Sequence, residues 1–223
     1  MFIIRLIFYL AVGTMDSSFL TGLHISLALF SCLFLVRLII QFGLPNHPAR
    51  FLSYLVSFCI VAYFISEALT DLGLLSPWVW VKWRAFPLVA GGFCLLLQTI
   101  TLLGTMNFLQ QRVISRLPLI VALLSTAFFS QFADALFSVF LLLGGLFLIV
   151  FVRKSRYQKR LYVKMSFMFI GQLVCNYLGY YYAYLVGQVF LCLTVFYAFL
   201  FQQSFGILAL IDDHRQESEG DLK

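Results

Sequence analysis

Apolar side chains run through this chain in long, nearly unbroken stretches, and polar residues gather in the short connections between them. A helix crossing a membrane needs about 20 mainly apolar residues, because the hydrocarbon layer is about 30 Å thick and each residue rises about 1.5 Å. Seven stretches meet that length, two of them narrowly: span A (residues 18–42), B (49–70), C (86–109), D (117–132), E (134–152), F (161–183) and G (186–211). Their continuity predicts helices, since the strands of a membrane barrel alternate apolar and polar positions in runs of about ten residues. D and E lie so close together that they require a tight turn over Gln131 to Asp134. Pro45 and Pro48, in the connection between A and B, stop one helix and open the next. The expected fold is all-α, a polytopic integral membrane helix bundle of seven transmembrane helices in one domain over residues 1–211, with a short polar tail over 212–223. Residues 1–13 surround Arg5 with apolar side chains and are too short to cross; they are expected to be retained as an interfacial segment.

Composition narrows the solvent. Of 223 residues, 62% are hydrophobic and only 11% are charged, against about 25% charged in an ordinary soluble domain. The mean hydropathy is +0.98, so polar surface is too scarce to clothe a single water-facing globule. The net charge of +6 is unevenly placed. With seven spans, the A–B, C–D and E–F connections and the C-terminus hold 12 of the 15 Lys and Arg residues, leaving Arg5, Lys82 and Arg84 on the other side. Basic residues in short loops stay cytoplasmic, so the N-terminus is expected outside and the C-terminus in the cytoplasm. Trp78, Trp80 and Trp83 then fall at the outer interface, as do Tyr177, Tyr180, Tyr181, Tyr182 and Tyr184. Compact loops and the basic side fit a bacterial inner membrane.

Chemistry-bearing residues are sparse. The five cysteines all sit in apolar runs without a C-x-x-C pair, so neither disulfides nor a metal is expected. No nucleotide-binding loop, nucleophile elbow or H-E-x-x-H appears; an enzyme, a cofactor or a nucleic-acid partner is therefore not expected. Along span F and beyond, Gly171, Cys175, Gly179, Ala183 and Gly187 recur every four residues, with Gln172 and Asn176 beside them. Small residues at this spacing let helix backbones approach, and amides next to them hydrogen-bond across the contact or line a polar pocket. Glu67 and Asp71 share one face near the outer end of B, where Lys82 and Arg84 would neutralise them, or where Glu67 would serve a ligand or a proton. His24 in the outer third of A is either a packing residue or a titrating one. Arg153, Lys154, Arg156, Lys159 and Arg160 crowd the E–F loop and would attract anionic lipid headgroups or an acidic protein partner at the cytoplasmic face.

Two functions follow from this inventory. One is a non-enzymatic membrane protein, a receptor-like sensor or a membrane subunit of a larger complex, coupled to a protein partner through its helix faces and basic loop. The other is a small permease or channel, its path lined by Gln98, Thr101 and Thr105 of C, Ser125 and Ser130 of D, and Gln172 and Asn176 of F. Gly91-Gly92 and Gly144-Gly145 would be the helix breaks of such a path.

Overall fold

The computed structural model describes residues 17–43, 48–101, 112–128, 130–151, 156–178 and 181–220. They form helices α1 (Ser17–Phe42), α2 (Pro48–Asp71), α3 (Pro77–Thr101), α4 (Arg112–Phe128), α5 (Ala133–Phe151), α6 (Arg156–Leu178) and α7 (Tyr181–Gly220). A 3-10 turn at Ser130–Phe132 leads into α5, and no strand occurs among the described residues. Five stretches are long and apolar enough to cross a membrane: Phe19–Phe42, Arg50–Asp71, Trp78–Ile100, Ser130–Val150 and Ala183–Ile207. A shorter apolar helix runs over Arg116–Phe128. The chain is thus an all-helical bundle of membrane-protein composition.

Local chemistry fixes several helix ends. Gly73 takes φ +71° after α2. Its N–H bonds to the Thr70 carbonyl (2.9 Å) and the Leu74 N–H to the Leu69 carbonyl (2.9 Å). This is the paired closure that only a residue free of a Cβ adopts without strain. Gly43 closes α1 similarly at φ +70°, its N–H reaching the Ile39 carbonyl at 2.9 Å. The carbonyls left over at that end are covered from α2, where Arg50 donates to Phe42 O (3.1 Å) and Tyr54 donates to Gly43 O (2.6 Å). Ser76-Pro77 opens α3: proline is favoured at a first helical position because the N–H it lacks would be unpaired there anyway.

Packing places α3 centrally, against α2, α4 and α5, while α6 and α7 form the most extensive pair and α7 returns against α2 and α1. Aromatic rings cross these contacts, with Phe34 of α1 on Phe199 of α7 at 4.2 Å and Phe137 of α5 on Phe169 of α6 at 4.7 Å. The outward faces stay apolar, as Leu33, Ile40, Phe128 and Phe167 show by their exposure. Such a perimeter suits hydrocarbon rather than water.

The spans A, B and E coincide with α1, α2 and α5 to within a residue or so. Span C does not: its helix begins nine residues earlier, at Pro77, and is described only to Thr101, because the tryptophans and basic residues taken for a loop ride on the first turns of α3. Thr105 lies outside the described residues. Span D ends at Phe128, before the 3-10 turn. Span F ends at Leu178, and Ala183 belongs to the next helix. The row Gly171 to Gly187 is therefore divided between two helices rather than carried on one. The polar tail continues α7 as helical backbone to Gly220. Neither glycine pair breaks a helix. A Cβ on Gly92 would meet the Phe137 ring at 2.9 Å, and one on Gly144 would run into the Tyr162 hydroxyl, so these glycines admit neighbouring rings. Residues 1–13 lie outside the described residues.

Candidate functional site

Helices α2, α3, α5, α6 and α7 enclose a cavity of about 90 Å³ between the middle of the bundle and the end where α2 finishes. Val56, Leu95, Met165 and Ala198 lie toward the middle of the bundle. Tyr63, Phe64, Phe137 and Phe169 supply aromatic wall, and Asp134, Gln172 and Asn176 bring polar groups to the end nearer Asp71. Pro87 also lines it, inside α3, where its missing N–H leaves the Trp83 carbonyl without its usual helical donor. No residue of α4 contributes to the lining.

Below this cavity lies a buried polar layer. One turn beyond Val56, Leu95 and Ala198 come Ser53, Gln98 and Gln202, from three different helices and at most 2% exposed. Gln98 Nε2 donates to Gln202 Oε1 (2.7 Å), Gln202 Nε2 donates back to Gln98 Oε1 (3.0 Å), and Gln98 Nε2 also reaches Ser53 Oγ at 3.3 Å. Two primary amides satisfy each other head to tail, which is how such groups become tolerable where water is absent. Tyr162 and Phe201, packed edge to face at 5.4 Å, fill the rest of the layer.

The amides at the cavity are treated differently. Gln172 is 5% exposed, and its Oε1 has no hydrogen-bond partner. Asn176 Oδ1 is likewise buried and unpartnered, pressed toward α7 where a Cβ on Gly187 would come within 2.9 Å of it. Gly171 faces the Phe190 ring at 3.0 Å by the same measure, and Cys175 abuts Gly187 at 3.2 Å. Three members of the small-residue row, Gly171, Cys175 and Gly187, thus meet at the α6–α7 contact; Ala183 on α7 is half-buried and Gly179 lies outside the described residues.

Beside the cavity sits a buried ionic group. Arg84 of α3 is paired with Asp134 of α5, lies 3.9 Å from Glu67 of α2, and places its guanidinium 4.4 Å over the Trp80 ring. His24 of α1 donates through Nδ1 to Asp71 Oδ2 at 2.6 Å. The expected rim group of Glu67 and Asp71 with Lys82 and Arg84 is therefore rearranged. Lys82 is exposed, Asp71 goes to His24, and Asp134, which had been read as a turn residue, becomes the principal partner of Arg84. Helical spacing explains this: Arg84 is seven residues into α3 and turns inward, while Lys82 turns out. Neither Glu67 nor His24 lines the cavity.

In the basic loop, Lys159 donates to the Ile149 carbonyl at 3.1 Å, a cation placed on the carbonyl end of α5. Arg156 and Arg160 are exposed, and Arg153 and Lys154 lie outside the described residues. Lys164 sits 5.5 Å over the Tyr197 ring. Among the described residues no group of three or more His, Cys, Asp or Glu side chains is placed to hold a metal. Sequence reasoning singled out Gln98, Gln172 and Asn176 but missed Gln202, Asp134 and the inward turn of Arg84. A glutamine pair in the last span and the Ser76-Pro77 helix start were the signals available. No family model matches this chain, and neither a curated protein nor a solved structure was found to match it.

Proposed function

We propose that this chain is a non-enzymatic, receptor-like membrane sensor that holds a small ligand in its cavity and passes the bound state to a protein partner at the cytoplasmic face. In this reading all seven helices cross the membrane, α4 and α6 as the short and the polar members, with the N-terminus outside and the C-terminus inside. The apolar part of α6, Leu161 to Leu178, is 18 residues and extends about 27 Å, close to the hydrocarbon thickness. Exposed Trp78, Trp83 and Tyr177 lie toward one end of the bundle, and exposed Arg116, Arg156 and Arg160 toward the other, which supports that orientation.

The observation that carries the sensor reading is the sealed layer of Ser53, Gln98 and Gln202. A conduit needs its polar groups in line along an open path, whereas here Ser53, Gln98 and Gln202 close on one another beneath the cavity. Thiol accessibility in proteoliposomes tests it, with single cysteines in a background lacking the native five. Thr194→Cys, on the cavity wall, is expected to react with a membrane-impermeant reagent from the outer side only, and Ser53→Cys from neither side. Reaction at Ser53→Cys from both sides would favour the permease or channel reading instead.

A further inference from the structure

The cavity joins an apolar interior to an amide oxygen that has no partner. Gln172 is buried, lines the space, and its Oε1 has no hydrogen-bond partner among the described residues. Its neighbour one turn on, Asn176, shares that condition at its carbonyl oxygen. An unpaired buried amide carries a desolvation cost that a ligand with a matching polar head would remove. We propose that the cavity binds a short, uncharged organic molecule with a hydroxyl or carboxamide head, held by Gln172 and Asn176, and a carbon chain lying along the aromatic wall that Phe137 and Phe169 form together. The proposal rests on the sensor reading and names the ligand class that the reading leaves open.

Three features select that class. Both unpartnered atoms are amide carbonyl oxygens, so the heads that complement them carry a hydrogen-bond donor, as a hydroxyl or a carboxamide does. Charge is disfavoured in either sign: an anion would approach Asp134, at the cavity, while a cation would find Asp134 already paired with Arg84, and either ion would lose its hydration among apolar walls. Size follows from volume. The cavity holds about 90 Å³, less than the roughly 150 Å³ of an engineered cavity that accepts benzene, so a ligand of about four to six non-hydrogen atoms fits.

The test is thermal stabilisation of the full chain in lipid nanodiscs, titrated with n-butanol, butyramide, n-pentane, butyrate and butylammonium. Saturable stabilisation by n-butanol and butyramide is expected, weaker for pentane and absent for the two ions. Gln172→Leu, which keeps the side chain's shape, is expected to weaken butanol binding about tenfold and leave pentane unchanged. Ala198→Phe, filling the base of the cavity, is expected to abolish saturable binding and so separates the site from partition into lipid; if it does not fold, the Gln172→Leu comparison decides alone. Equal binding of pentane and butanol, or preference for either ion, would overturn the ligand class while leaving a ligand cavity in place. Binding by none of the five would overturn the site itself. Neither result depends on thiol labelling at Ser53→Cys, which judges the sensor reading separately.

Discussion

The reciprocal glutamine pair makes a quantitative demand. Gln98→Leu keeps the bulk of the side chain but removes its hydrogen bonds, among them two shared with Gln202 at 2.7 and 3.0 Å and one to Ser53 at 3.3 Å. Inter-helix hydrogen bonds inside membrane proteins average about 0.6 kcal/mol and reach about 1.7. The larger effect comes from what is left behind: the Gln202 amide, fully buried, loses both of its bonds to Gln98 at once, and an orphaned buried group costs about 1–3 kcal/mol. The single variant should therefore be destabilised by about 2–4 kcal/mol. In Gln98→Leu/Gln202→Leu no amide remains to be orphaned and two leucines pack in apolar surroundings, so the loss should shrink to about 1 kcal/mol.

Reversible unfolding in mixed micelles, read by tryptophan fluorescence, measures all four corners of this double-mutant cycle. The expected signature is a double variant more stable than either single one. Additive losses would refute the reasoning, because they would mean that each glutamine acts on its own and that the layer is not a closed amide pair. The same cycle bears on function: Gln98→Ala with Gln202→Ala should admit a thiol reagent to Ser53→Cys, whereas the leucine pair should keep it sealed.

Other substitutions probe the remaining contacts. Arg84→Met leaves Glu67 and Asp134, whose side chains are 7% and 22% exposed, without their shared cation and should cost about 3–5 kcal/mol in the same assay; recovery is expected when both acids are made amides as well, and a neutral Arg84→Met would refute the ionic group. Tyr162→Phe deletes a buried hydroxyl that has no partner and should be neutral or stabilising by up to about 1 kcal/mol; a clear loss would show that the hydroxyl is satisfied. Gly144→Ala drives a methyl group against that same ring and should cost about 1–3 kcal/mol, with part of the loss regained on adding Tyr162→Phe. Gly73→Ala forces a Cβ into φ +71° and should cost about 1–2 kcal/mol, detected as a lower unfolding midpoint.

Much of the architecture was legible in the sequence because lipid imposes a single rule, long apolar runs with their backbone bonded within the segment. α1, α2 and α5 follow it almost to the residue. The rule failed where polarity and helicity part company. Trp78 to Arg84 carry enough polar character to resemble a loop, yet Ser76-Pro77 starts a helix there, and its inward-turned positions bring Arg84 to Asp134. The row of small residues told a similar half-truth: the four-residue spacing was real, but Gly171 and Gly187 belong to opposite sides of one helix contact.

The polar residues were harder to assign for a physical reason. In a bilayer every buried amide or charge needs a partner, and the partner sits on another helix at a separation in sequence that no local pattern encodes. Gln98 and Gln202 are 104 positions apart, and Arg84 and Asp134 are 50. Gln98 and Gln172 looked alike as isolated polar residues on apolar spans. Three dimensions separate them, since one is closed off by its mate and the other borders an open volume with its carbonyl oxygen unpartnered. That difference is why the first is assigned to sealing the bundle and the second to recognising what enters it.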